Sequence, residues 1–454
     1  FTRRPEATWI AYTSYSEILA THEAKRLFHG ILDKQRMTQL PVAERERLVR
    51  RAVDDAIRKR RGSIQAEPIT HEDSAGMRSF FAIYPKYALE ELMAAECAGW
   101  SDQKVCALSS GYSGSSLLQI TGLKDAAPKQ IVIKLAPRRD VIEAETHVLD
   151  DKYRGEGGVY AGKCAQPSQL KDLPEKLGFY SIQESVPGRT LMSLLTDEAV
   201  SKDMAKAALR TVIDLSVEQY KRGWYAKKVD EHEKKLKRFE FTEIDIDRAR
   251  QACAFLRDIG HALSTRAQWP RTAAKVEQVF SVIEHLLSTW QSNLSRAAPF
   301  EWVLQHGDLN PHNIMIGAAG QITFIDLARI GHWPVGYDLS RLAIQLRMRL
   351  VDRAGTADWF GDHLTDWYEE PIWAIGNEAN PHPLCWPAAL CEQALTEFVN
   401  TREEEGRAVL YTGSRVGALF DLLRILSYND LSPFKRLWAA LGCFDLASRL
   451  GWLP

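Results

Sequence analysis

The chain is short of the features that mark several protein classes. Its 454 residues hold only seven cysteines. They are scattered, odd in number, and no two form a C-x-x-C pair. That excludes a disulfide framework or a zinc site of the paired-cysteine type, and it points to reduced thiols in the cytoplasm. Charge of one sign is also lacking. Lys and Arg number 58 against 59 Asp and Glu, for a formal net charge of −1. No overall field draws such a chain to nucleic acid or to a membrane. No apolar run is long enough to span a bilayer, and neither a signal peptide nor a helix-turn-helix signal is read. The first residue is Phe1 rather than Met, which raises the expectation of a fragment. What remains is the composition of an ordinary globular protein, with length for two or three domains.

One stretch carries chemistry: His306-Gly307-Asp308-Leu309-Asn310-Pro311-His312-Asn313, followed by Ile322-Thr323-Phe324-Ile325-Asp326. Phosphoryl transfer asks little covalent help of a protein. It needs a carboxylate to orient the attacking hydroxyl and ligands to hold Mg²⁺ against phosphates. Asp308 fits the first role. Asn313 and Asp326 fit the second, because hard divalent cations take oxygen ligands. Asp326 closes an apolar β-type run, where a strand would deliver its carboxylate to a sheet edge. The plain alternative is a polar turn between two core strands.

These residues resemble the catalytic and metal-binding segments of the aminoglycoside phosphotransferase and choline kinase group. Within it, the nearest resemblance is to bacterial kinase-like domains called ternary-complex-associated domains. The resemblance runs from about residue 100 to about 350. It implies a two-lobed protein-kinase-like fold of the α+β class, ATP and Mg²⁺ as donor and metal, and Asp308 as catalytic base. Eukaryotic-type protein kinases carry an Arg between the His and Asp of this loop, to pair with an activation-loop phosphate. Gly307 stands there, and Asp326 to Asp338 leaves little room for a long activation segment. Both departures move the expectation toward small-molecule acceptors.

The small lobe is read over residues 100–188. Val105–Leu108 and Leu117–Ile120 read as strands around Ser109 to Ser115. Gly111, Ser113 and Gly114 in that turn would offer backbone amides to phosphates. The β-rich run Ile131–Leu135 carries Lys134, and an inward Lys requires a charge partner. It resembles the kinase lysine that contacts the α- and β-phosphates. Val141–Leu149 reads as a helix bearing its partner, Glu145 in preference to Glu143. Gln183, Glu184 and Val186, before Pro187-Gly188, resemble the hinge that binds adenine. An ordinary interlobe turn fits those three residues equally.

Residues 189–454 read as a helical large lobe containing the catalytic loop. Asp338 resembles the family's brace for that loop, and it also reads as a helix N-cap. Trp359, Trp367, Trp373 and Trp386 read as core in preference to a substrate cleft.

Before the small lobe, residues 63–99 read as a linker and connecting helix. Residues 1–62 read strand–helix–strand–helix, with strands at Trp9–Tyr12 and His29–Lys34 and helices at 17–28 and 44–61. This resembles the second half of a response-regulator receiver domain, in which Thr13 and Lys34 match phosphoryl-binding positions. Half a parallel sheet leaves an exposed edge, so either the chain is truncated there or the segment packs as a relic. A signalling partner would dock through it. The leading expectation is an ATP- and Mg²⁺-dependent phosphotransferase. Its rival is a non-catalytic nucleotide-binding signalling module.

Overall fold

The computed structural model describes residues 10–13, 30–33, 70–71, 75–108, 115–140, 142–143, 163–165, 170–173, 177–222, 224–225, 236–264, 272–297, 300–351, 386–428, 431 and 433–454. They fall into two compact units, Phe1–Thr146 with Gln166–Ser185, and His147–Ala165 with Val186–Pro454.

In the first unit, β1 (Ile10–Thr13) pairs in parallel with β2 (Gly30–Asp33), Thr13 opposite Asp33. These strands fall where the sequence predicts them. Lys34 and both predicted helices lie outside the described residues. Parallel pairing is common to all βαβ units, so two strands do not support the receiver resemblance. Next come β3 (Thr70–His71), α1 (Ala75–Ile83) and α2 (Lys86–Glu96). Pro85 separates the helices and stands at the N-cap of α2 with φ −68°. It cannot continue α1, and a helix start has no use for its missing N–H.

The sheet of this unit adds β4 (Trp100–Leu108), β5 (Ser116–Lys124), β6 (Ala127–Ala136), β7 (Lys171–Asp172) and β8 (Phe179–Glu184). Its order is β3-β4-β5-β6-β8-β7, antiparallel except between β3 and β4. The strands outrun their predicted bounds because β5 and β6 meet through only Asp125 and Ala126, both at positive φ. That primed turn matches the twist of a hairpin, but Asp-Ala does not advertise it as Asn-Gly would. Met77, Phe80 and Tyr84 of the α1 stretch and Leu89, Leu92 and Met93 of α2 share one core with Leu118, Ile120, Ile133 and Leu135. Residues read from sequence as a connector therefore supply a layer of this unit's core.

The second unit opens with β9 (Arg189–Thr190), α3 (Leu191–Thr196) and α4 (Lys202–Tyr220). The Thr190 hydroxyl accepts from the Ser193 amide at 3.0 Å, and the Ser201 hydroxyl from Met204 at 3.2 Å. Each cap satisfies a donor that has no partner within the helix. After β10 (Trp224–Tyr225) come α5 (Glu243–Ser264) and α6 (Thr272–Ala297), then β11 (Glu301–Gln305), β12 (Ile314–Ile316), β13 (Ile322–Phe324) and β14 (Gly331–Pro334). Four further helices follow: α7 (Tyr337–Val351), α8 (Trp386–Asn400), α9 (Glu404–Leu426) and α10 (Pro433–Leu450). Two three-stranded sheets, β10-β11-β14 and β13-β12-β9, sit among these helices. One core is aromatic, with Phe239, Trp290, Trp302, Trp333, Tyr337 and Phe420. The other is mainly aliphatic and runs from Leu209 and Val212 through Leu309, Ile314 and Phe324 to Leu342. Trp386 is half-buried against it; Trp359, Trp367 and Trp373 lie outside the described residues. Among the described residues no helix is long and apolar enough to cross a membrane.

Candidate active site

The loop from His306 to Asn313 joins β11 of one small sheet to β12 of the other. Its entry is fixed by buried amides and carboxylates. Gln305 donates from Nε2 to the carbonyls of Trp333 and Pro334, at 3.0 and 2.7 Å, and its Oε1 accepts from the Asp338 amide at 3.0 Å. The Asp338 carboxylate accepts from the amides of His306 and Gly307, at 2.8 and 2.9 Å. Burial pushes its pKa up against the opposing pull of His306 and these two bonds. Asp338 is thus both in the first turn of α7 and the brace of the loop.

Gly307 has φ +74°, a region costly for residues with a Cβ. A Cβ there would lie 2.2 Å from both the Arg329 carbonyl oxygen and the Trp333 Nε1. Those two atoms bond each other at 3.0 Å. No side chain fits at this position, which gives a local reason for the glycine.

Asp308 comes next, its side chain 22% exposed. Arg341 of α7 donates to Asp308 Oδ1 from Nε, at 2.9 Å, and from Nη2. The same guanidinium bonds Asp421 Oδ1 of α9 through Nη1, at 2.5 Å, and Tyr337 donates to that oxygen at 3.0 Å. Asp308 Oδ2 makes no hydrogen bond among the described residues, and it is not sealed from solvent. Burial raises the Asp308 pKa, but Arg341, Arg329 and His306 outweigh it and hold the carboxyl below the usual value. Sequence reading missed Arg341 and Asp421, and no local signal marks them.

The loop then closes on itself. The Asn313 amide nitrogen bonds the Asn310 carbonyl at 2.9 Å, and Asn313 Nδ2 donates to the Asp308 carbonyl at 3.0 Å. Its carboxamide oxygen makes no hydrogen bond among the described residues. Antiparallel pairing sets Ile314 opposite Phe324, and the Ile325 amide reaches the Asn313 carbonyl at 2.9 Å. His306 Nε2 bonds the Ile325 carbonyl at 2.9 Å. Asp326, the next residue, has φ 58° and ψ 67°. Left-handed backbone at a non-glycine residue is a local strain that clusters at functional sites. Asp308, Asn313 and Asp326 are therefore carried on one knot of backbone. The donor set of one carboxamide oxygen and one carboxylate fits Mg²⁺, which keeps waters and phosphate oxygens in its remaining positions.

In the first unit Lys134 lies on the face of β6 opposite Ile133 and Leu135, in register with Leu117 and Ser181. Only 8% of it is exposed. Gln183 and Glu184 end β8, opposite Val132 and Ile131, and Val186 follows them as the second unit begins. Gly111, Ser113, Gly114 and Glu145 lie outside the described residues. Glu143 pairs with Arg139 at 3.1 Å.

The model of the phosphotransferase enzyme family matches residues 104–373. No curated protein matches the chain. Among solved structures, the chain is similar to a thermostable mutant of an aminoglycoside phosphotransferase at 13% identity and TM-score 0.40, covering 79% of this chain and 98% of that one. It is similar to an ethanolamine kinase of Plasmodium vivax at 12% identity and TM-score 0.40, covering 83% and 97%. A choline kinase of Streptococcus pneumoniae matches at 13% identity and TM-score 0.31, covering 73% and 96%.

Proposed function

The chain belongs to the phosphotransferase enzyme family, and on that premise we propose that it transfers the γ-phosphoryl group of ATP to a hydroxyl of a small molecule. One observation carries the assignment of Asp308 as the base. Its two carboxylate oxygens differ: Oδ1 is held by Arg341, and Oδ2 is unengaged among the described residues and not sealed from solvent. A clamped carboxylate with one open oxygen is suited to orient a hydroxyl. The acceptor O–H gives its proton to Oδ2 as the oxygen bonds the γ-phosphorus. The bond from that phosphorus to the bridging β–γ oxygen breaks, and ADP leaves with its electron pair. Because the transition state is loose, orientation counts for more than basicity, which suits a carboxyl held below its usual pKa.

Asn313 and Asp326 would hold Mg²⁺, which when bound offsets phosphate charge. Lys134, with Glu145 as its partner, would contact the α- and β-phosphates. Gly111, Ser113 and Gly114 would cover them, and the backbone of Gln183, Glu184 and Val186 would receive the adenine. Residues 100–188 and 189–454 serve as the two lobes in this reading. The six described cysteines are unbridged, which supports a cytoplasmic protein.

Asp308→Asn tests the assignment. It keeps size and loses charge and basicity, so turnover should fall by about 10²- to 10⁴-fold. ATP affinity should hold, because the metal is assigned to Asn313 and Asp326. A variant that turns over like the parent chain removes Asp308 from the reaction.

A further inference from the structure

The arginine that clamps Asp308 is itself clamped. A guanidinium edge presents two parallel N–H groups and commonly takes both oxygens of one carboxylate. Arg341 departs from that pattern. Its Nε and Nη2 both donate to Asp308 Oδ1, and Oδ2 is left out. The far edge of the head shows what holds it there. Nη1 donates to Asp421 Oδ1 at 2.5 Å, and the Tyr337 hydroxyl donates to the same oxygen at 3.0 Å.

Asp421 stands on a packed helix, not on a loop. Its side chain is 1% exposed, and that of Arg341 8%. Gly417 lies one helical turn earlier on α9, and a Cβ there would sit 2.5 Å from Tyr337 Cδ2. The missing side chain lets α9 close on Tyr337 at the start of α7. Tyr337 is in turn stacked on Trp333, with ring centroids 4.4 Å apart. Burial works against the charge of Arg341, but Asp308 and Asp421 together outweigh it. A buried carboxylate parted from its cation is costly, so Asp421 resists any movement of the head. Among the described residues no hydrogen bond joins Asp421 to the loop 306–313. Its hold on Asp308 passes through Arg341.

We propose that Asp421 is a positioning residue for phosphoryl transfer. By holding Nη1 it keeps Arg341 on Oδ1 alone, and so keeps Asp308 Oδ2 open to the acceptor hydroxyl. This deepens the phosphotransfer reading and rests on it. Without Asp421 the head is free to turn and take both oxygens, and the carboxylate that should orient the hydroxyl is then occupied by its own clamp.

The experiment has two arms, both on the full chain. The first is a crystal structure of Asp421→Leu, a change close in volume that removes the anchor. Arg341 should then lie across both oxygens of Asp308, against Oδ1 alone in the parent. Arg341 unmoved in the variant overturns the inference and leaves the kinase reading standing. The second arm measures ADP release from Mg·ATP, with whichever of a set of polyols, sugars, aminoalcohols and aminoglycosides gives the fastest turnover. Asp421→Leu should lower kcat about 10- to 100-fold, the scale of a misplaced reacting group, with nucleotide KM unchanged. Asp421→Asn, which keeps an oxygen for Nη1, should recover most of that loss. In an Arg341→Gln chain, Asp421→Leu should cost kcat nothing further, because the two residues act as a unit. A mere brace between helices would lower the melting temperature with kcat held below it, or would multiply the two losses; either result overturns the inference. If Asp421→Leu alone fails to fold, the double variant, which strands neither charge of the pair, is compared with Arg341→Gln. Equal kcat supports the inference and a lower one overturns it. Silence with every acceptor from a parent chain that binds ATP removes the phosphotransfer reading, and this inference with it.

Discussion

At the scale of single residues, Asp308 and Arg341 set a pH signature. The folded Asp308 carboxyl lies below its usual value because Arg341, Arg329 and His306 outweigh the effect of burial. Its contribution to stability is therefore present above the unfolded value near ~3.9, and lost as pH falls through the lower folded value. The same ordering keeps it ionised through the neutral range. Arg341→Gln removes the largest stabilising charge and leaves the burial, so the folded pKa should rise. Measured as kcat/KM between about pH 5 and pH 8, the variant should lose rate toward acid while the parent stays level in that limb. Superimposable profiles would detach Arg341 from Asp308.

At the scale of elements, the first turn of α7 does two jobs. Asp338 starts the helix and holds the amides of His306 and Gly307. Asp338→Ala strands both N–H groups in a buried site. Chemical denaturation should register a loss of about 2–6 kcal/mol, from roughly 1–3 kcal/mol for each abandoned donor. A loss under ~1 kcal/mol would mean that other groups replace the brace. The brace at Asp338 was legible in the sequence, and so was the loop that carries Asp308 and Asn313, because both lie in one short run and its sequel. Arg341 and Asp421 were not. Arg341 lies 33 positions from Asp308, and Asp421 a further 80. On their helices each reads as one more polar residue, and only packing brings them to the loop. The sheet of the first unit was legible as separate strands. Its hairpin turn at Asp125-Ala126 was hidden by an unfavoured residue pair. Within the connector the sequence shows α2, read as a helix over Tyr87–Cys97, but not α1, because Pro85 breaks the apolar period between them.

At the scale of the whole molecule, the chain crosses between its two units three times, near residues 147, 166 and 186. The short excursion matters to the site. Phe324 donates to the Lys163 carbonyl at 2.7 Å, and the Ala165 amide returns to the Phe324 carbonyl at 2.9 Å. So 163–165 lies along β13, two residues before Asp326. A chain cut to 186–454 loses that neighbour. Amide exchange at Ile322–Phe324 should be faster in it than in 147–454, and equal protection would show that the edge holds unaided. Removing residues 1–62, by contrast, should leave nucleotide binding intact; loss of binding would make that segment an integral cap. The glycine at 307 has a longer reach. In eukaryotic-type protein kinases an Arg at the matching position of the loop pairs with an activation-loop phosphate. Here the Arg329 carbonyl and the Trp333 indole fill the space, so no single codon change can install that pairing. A chain carrying an Arg in this loop would have to rebuild the indole and the turn along with the glycine.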